Sequence, residues 1–211
     1  MSPRILFVTV LVIGLTGRAQ ASPFTNGSFE NPGGQFSGFI FLGPGSTTIP
    51  GWTVGGGSSS VDWIGNFWAA SQGNQSVDLN GSSTGSIFQT FDTTPGQHYQ
   101  VLFDLAGNTD GPPNLKTLNV QATGNPLQGY SFDDTGFNHT NMGWQTFIYD
   151  FTATGTSTTL TFTSTTPNNF FGPALDNVRV SAVPEPATMA VFGLLAAGGL
   201  GYVRRRKPAA A

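Results

Sequence analysis

Tyr99-Gln100-Val101-Leu102-Phe103-Asp104-Leu105 sets Tyr99, Val101, Phe103 and Leu105 on one side of an extended chain and Gln100 and Asp104 on the other. Side chains of a β-strand alternate between its two faces, so this spacing predicts a strand with one face in a core. The same pattern recurs outward along the chain. Leu118 and Val120 alternate with Thr117, Asn119 and Gln121. Phe147, Tyr149 and Phe151 form another stripe, and Leu160 and Phe162 alternate with Thr159, Thr161 and Thr163. Ile87 and Gln89 face away from Phe88 and Thr90. Threonine suits the wet face of such strands, because its branched carbon packs well and its hydroxyl stays hydrated. Turn chemistry separates the runs: Thr94-Pro95-Gly96, Asp110-Gly111-Pro112-Pro113 and Thr154-Gly155. Short strands divided by such turns predict an all-β fold, an antiparallel jelly-roll β-sandwich.

Composition agrees and excludes several function classes. Of 211 residues only 9% are charged, Gly and Pro number 29 and 14, and cysteine is absent. Disulfides and thiolate-ligated metals are therefore excluded. Eighteen Phe supply apolar surface for a core. The net charge of −3 averages unlike segments. Residues 22–183 hold ten acids against Lys116 and Arg179, a net −8, while the other bases sit at the two ends. A domain with that field is not expected to bind nucleic acid.

The ends read as export and sorting signals. Arg4, an apolar run from Ile5 to Leu15, and Ala19-Gln20-Ala21 describe a secretory signal peptide over 1–21, cleaved after Ala21. At the other end Pro184-Glu185-Pro186 precedes an uncharged stretch, 187–203, and then Arg204-Arg205-Arg206-Lys207. A basic cluster following an apolar span stays on the cytoplasmic side, so 187–203 is expected to be a transmembrane helix with residues 22–183 outside the membrane. Residues 184–211 resemble the PEP-CTERM sorting signal of Gram-negative bacteria. The resemblance implies export by the secretion machinery, transient anchoring in the inner membrane and processing by an exosortase near Pro184 to Pro186. The product would be a cell-surface or extracellular protein of the exopolysaccharide or biofilm matrix.

Between the ends, a second set of motifs occurs in order: Asn26-Gly27-Ser28-Phe29-Glu30, Pro50-Gly51-Trp52, Val61-Asp62-Trp63-Ile64, Ser76-Val77-Asp78-Leu79-Asn80-Gly81 and Gly172-Pro173-Ala174-Leu175-Asp176-Asn177-Val178. These resemble the choice-of-anchor C family, which is similar to plant cell-wall proteins long labelled as a domain of unknown function. The resemblance implies a galactose-binding-like jelly roll, shared with carbohydrate-binding modules.

Catalytic patterns are weak. Asp133-Asp134 is an adjacent acidic pair beside Thr135-Gly136 and reads as solvated turn residues. His98 and His139 lack a nucleophile motif and read as surface histidines. Metal chemistry centres on Glu30 and Asp176. Asp176 shares parity with Val178 and Val180, so a regular strand would aim its carboxylate into the core at a cost of several kcal/mol. Either a bulge turns it outward or a cation meets it. In the resembling modules such acids hold a structural calcium, which implies Glu30 and Asp176 as its ligands here. For a sugar, flat aromatic faces beside hydrogen-bonding groups are needed. Trp63, Asn66, Phe67 and Trp68 form the carbohydrate-site candidate, against the alternative that these aromatics cap the sandwich. Trp52 and Trp144 read as structural. The expectation is a non-catalytic, polysaccharide-binding surface protein. The alternatives are a structural or adhesive protein without a sugar site and, remotely, a secreted glycoside hydrolase.

Overall fold

The computed structural model describes residues 23–30, 34–167 and 170–184. The signal peptide with Ala19 and Ala21, the helix expected over 187–203, and Glu185, Pro186, Arg204, Arg205 and Arg206 lie outside the described residues. Among the described residues, no helix is long and apolar enough to cross a membrane.

Eleven strands occur among them: β1 (Phe39–Leu42), β2 (Thr53–Val54), β3 (Val61–Ile64), β4 (Ser76–Asp78), β5 (Ser86–Asp92), β6 (His98–Gly107), β7 (Leu115–Ala122), β8 (Gln128–Asp133), β9 (Gln145–Thr152), β10 (Ser157–Ser164) and β11 (Pro173–Ala182). They form two antiparallel sheets. One has the order β1-β3-β4-β11-β6-β9, the other β2-β5-β10-β7-β8. From β5 onward the chain passes repeatedly between sheets, and only β7 and β8 are joined as neighbours. That is the course of a jelly roll, so the all-β sandwich expectation is met.

The alternation read from the sequence is what builds the core. Val101, Phe103 and Leu105 of β6 are buried, as are Leu118 and Val120 of β7 and Leu160 and Phe162 of β10. Phe103 meets Phe162 across the two sheets edge-to-face at 5.2 Å. Burying a side chain of that size contributes about 1.5–3 kcal/mol. Trp52 packs on Phe29 and Phe162 and donates its indole N–H to the Asn26 carbonyl, as expected for a core tryptophan. In β5 the buried set is Ile87, Gln89 and Phe91, and the buried Gln89 amide is satisfied by the backbone of Thr25.

Of the two alternatives for Asp176, the bulge is the one present. Opposite β6, Asp176 pairs with Asp104 and Arg179 with Leu102, so two residues of β11 face one of β6. This bulge, with Asn177 at φ 50°, flips parity. Asp176 therefore lies on the outer face with its cross-strand partner Asp104, while Leu175 and Leu105 point to the core. It is nevertheless buried, because the segment between β3 and β4 covers it.

Candidate functional site

Register places one row of side chains across the outer face of the six-stranded sheet: Phe41 opposite Asp62, Asp62 opposite Asp78, and Asp78 opposite Ala174. Phe39 lies opposite Ile64 on the same face. Above β1, β3 and β4 this face floors a cleft of about 410 Å³. Its walls come from Phe67 and Trp68, Gly81 and Ser82, Asn108 and Asp110, and Phe170 and Phe171. Phe39, Phe41 and Phe170 are 51%, 52% and 58% exposed. Phe39 meets Phe67 edge-to-face at 5.6 Å. The cleft thus offers aromatic surface and a strip of carboxyl and amide groups.

The acids differ in how they are held. Asp78 is buried at the floor. Its Oδ1 accepts from the backbone N–H of Asn80 at 2.8 Å and of Gly172 at 3.1 Å, and its Oδ2 from the Asn108 amide at 2.8 Å. Position 172 must be glycine, since a Cβ there would overlap Asp78 and Asn80. Burial pushes the Asp78 carboxyl up to about 8; these donors oppose the rise and neighbouring Asp62 adds to it. Asp62 is half-buried. Its Oδ1 is buried without a hydrogen-bond partner. Burial pushes its carboxyl up to about 6. Asp110 sits at the rim, its Oδ1 2.8 Å from His139 Nε2.

A buried ion pair ties two walls together. Lys116, on β7, is fully buried. Its Nζ lies 3.3 Å from Asp134 Oδ2 and donates to the carbonyls of Gly111 at 2.8 Å and Phe171 at 3.0 Å. Asp134 is therefore not the solvated turn acid expected; its neighbour Asp133 is, accepting from Thr135 in the open. His98 is exposed as expected, whereas His139 is half-buried, its ring tilted against Phe67 at 4.7 Å and paired with Asp110.

The sequence-derived carbohydrate candidates are split by the fold. Trp63 is 5% exposed, on the core face of β3, with its indole N–H on the Phe29 carbonyl at 3.2 Å. It has no face for a ligand. Trp68 is 4% exposed and donates to Ser76 Oγ at 2.8 Å, so only its edge reaches the cleft. Phe67 does line the cleft, and it borders a second, more open hollow of about 480 Å³ that also touches Asn66, Asn74 and His139. Asn66 is spent largely on structure, its Oδ1 accepting from the Gly38 N–H at 3.2 Å just before β1. Strand alternation puts Trp63 on the core face of β3 and its neighbour Asp62 on the cleft face, while Asn66, Phe67 and Trp68 lie beyond the strand. Trp144 is structural as expected, its indole bonded to the Ala69 carbonyl.

Glu30 and Asp176 both hold the segment that walls the cleft. Asp176 Oδ2 accepts from the N–H groups of Ser71 and Gln72, each at 2.8 Å, and Oδ1 from Asn177 at 2.6 Å. Glu30 Oε1 accepts from Asn74 and Gln75, each at 2.6 Å. Burial pushes the Asp176 carboxyl up to about 7 against those donors, with Asp104 adding to the rise. Asp104 accepts from Ser71, Thr146 and Asn177. Burial raises the Asp104 carboxyl, yet these bonds and the Arg179 charge hold it below the usual range. Five backbone N–H groups turn their positive ends toward Glu30 and Asp176. That donor set suits hydrogen-bonded carboxylates and does not suit a calcium ion between them. Among the described residues no group of three or more His, Asp or Glu side chains is placed to hold a metal ion.

The fold and this cleft define a β-sandwich domain with a ligand-sized site on one sheet, followed by a sorting tail. The chain belongs to the DUF642 family, whose model, described as a protein of unknown function, matches residues 22–181. The match bears out the domain-of-unknown-function part of the sequence resemblance and does not extend to choice-of-anchor C. A PEP-CTERM protein-sorting motif matches residues 182–207. That motif is the mark of an exported, transiently membrane-anchored surface protein processed by an exosortase. The chain is 32% identical over 190 residues to halomucin of Haloquadratum walsbyi, covering 86% of this chain and 2% of halomucin. It thus spans a small fraction of that relative's length. Similar solved structures include TmCBM61 in complex with beta-1,4-galactotriose, at a TM-score of 0.44 and 18% identity over 77% of this chain and 99% of that one. A family 35 carbohydrate binding module from Clostridium thermocellum has a TM-score of 0.45 and 18% identity over 68% of this chain and 98% of that one.

Proposed function

We propose that the exported domain is a non-catalytic glycan-binding module and that the cleft over β1, β3 and β4 is its binding site. The observation that carries this reading is the pairing of exposed Phe39, Phe41 and Phe170 with the polar strip of Asp62, Asn108 and Asp110 in one cleft. A pyranose has an apolar face for aromatic rings and hydroxyl edges for carboxyl and amide groups. Export to the cell surface puts such a module where polysaccharide is met.

The same geometry argues against hydrolysis. A glycosidase sets its two carboxyl groups on either side of the scissile bond, about 5–10 Å apart. Asp62 and Asp78 are cross-strand neighbours projecting side by side from the floor. Both oxygens of Asp78 are already engaged by N–H groups.

The test is affinity electrophoresis and calorimetry of the full chain in mild detergent against the producing cell's own exopolysaccharide. Phe41→Ala is expected to weaken binding at least tenfold, which is about 1.4 kcal/mol. Ile148→Ala, which removes an equally exposed apolar side chain on β9, is expected to change nothing. Binding that is absent, or untouched by Phe41→Ala, sinks this reading and leaves a structural or adhesive surface protein.

A further inference from the structure

We infer that the glycan taken by this cleft is cationic, a polysaccharide carrying unacetylated amino sugars whose ammonium group pairs with Asp62 between the phenylalanine faces. The inference rests on the cleft being the glycan site proposed above and adds the ligand's charge.

Four observations support it. First, Asp62 stands in the cleft floor with Phe41 and Asp78 as its direct cross-strand partners, so a ligand lying in the cleft meets its carboxyl. Second, the two acids are not equivalent. Asp78 has three donors, whereas Asp62 lines the cleft with its carboxyl, whose inner oxygen, Oδ1, is buried and unpartnered. Third, neither of the domain's own cations pairs with Asp62, although Lys116 acts at longer range on Asp78 and Asp110. Lys116 is held by Asp134 and two carbonyls, and Arg179 acts on Asp104. A neutral hydroxyl would supply a hydrogen bond to Asp62 and leave its charge uncompensated; an ammonium answers both. Fourth, the rings around it are phenylalanines, whose faces attract cations and offer no competing hydrogen bond. The rim continues the same sign with Asp110, which is paired only with a histidine.

An anionic polysaccharide is correspondingly rejected. Burial holds the Asp62 carboxyl near 6, so an ammonium must first favour its ionised form. Pairing with a ligand cation lowers that value, because an opposite charge at short range stabilises the carboxylate.

The experiment titrates the full chain with three hexasaccharides of β-1,4-linked glucosamine, N-acetylglucosamine and glucose, at pH 6.5 and low salt. The glucosamine hexamer is expected to bind at least tenfold more tightly than either neutral one. Asp62→Asn is expected to abolish that preference while retaining neutral-sugar binding and the wild-type melting temperature. Phe41→Ala is expected to weaken all three. Asp92→Asn removes the same charge from β5, outside the cleft, and is expected to keep the preference. Equal affinity for the three hexamers, or a preference lost equally in Asp92→Asn, overturns the cationic assignment and leaves glycan binding standing. Failure of the chain to bind any of the three, together with its own exopolysaccharide, overturns both.

Discussion

Lys116 is the best single place to test the physical account of this domain. Its ammonium has no solvent, one carboxylate at 3.3 Å and two carbonyl partners. At an effective dielectric of about 20, the attraction across that distance is about 5 kcal/mol. Burial works against it: the Lys116 ammonium is pushed down and the Asp134 carboxyl up, both toward neutrality, with each partner's charge opposing. Desolvation therefore takes back most of the attraction, and the pair as a whole stabilises little. Removing one member is a different matter. Lys116→Met leaves Asp134 buried without its ion pair and takes one hydrogen bond from each of the Gly111 and Phe171 carbonyls, a loss of about 3–5 kcal/mol. For a fold of this size each kcal/mol moves Tm by about 2–4 °C, so thermal unfolding should fall by roughly 10 °C. Lys116→Met combined with Asp134→Leu replaces the pair by apolar side chains and should recover the larger part, the two carbonyls accounting for the remainder. Circular-dichroism melts of the wild type, both single variants and the double variant form the cycle. A Lys116→Met protein melting within about 1 °C of wild type would refute the argument, as would a double variant no more stable than the two losses added together. Because Phe171 lines the cleft, glycan affinity should fall in Lys116→Met even at temperatures where it is fully folded.

Other predictions follow from the same geometry. The Asp78 and Asp176 carboxyls, at about 8 and about 7, keep protons that the unfolded chain, titrating near 3.9, has already released. The unfolded state then binds fewer protons, so stability should fall as pH rises from about 5 to 8.5. Melts across that range check this, and Asp78→Asn should flatten the upper part; a Tm that rises with pH contradicts it. EDTA should leave Tm unchanged, since Glu30 and Asp176 are satisfied by backbone N–H groups; a drop of several degrees restored by calcium would reverse that reading. Trp63→Ala should cost about 3–5 kcal/mol through the core, so any loss of glycan binding in it should track unfolding in a parallel melt.

The sandwich was legible because period-two alternation is local. Tyr99 to Leu105 or Thr159 to Thr163 state their buried face within a few residues, and the structure follows them. Two features escaped the same rule for physical reasons. The bulge at Asn177 adds one residue to β11, and every parity inference carried across it reverses; that is why parity alone left the face of Asp176 open between a bulge and a cation partner. Only the presence of Asn, which tolerates a positive φ, hints at it. The cleft escaped because its parts are far apart in sequence: β1 at 39–41, Asp62, Asp78, Asn108 and Phe170 meet only through sheet register. Phe39-Ile40-Phe41-Leu42 shows no alternation, so it announced no face.

One sequence signal did point to the site. In Val61-Asp62-Trp63 and Val77-Asp78-Leu79 a carboxylate stands between apolar neighbours of a strand. Alternation puts those neighbours in the core and the acid on the opposite face, where a solvated strand would need only a neutral polar residue. In the structure Asp62, Asp78, Asp104 and Asp176 all lie on the outer face of the six-stranded sheet, partly or wholly covered by loops. Four of the ten acids of residues 22–183 are therefore gathered on one sheet face. Three of these four acids are hydrogen-bonded by N–H and hydroxyl donors of the protein itself. Asp62 is the one left without such donors, which is why the ligand proposed for this cleft is distinguished by its charge.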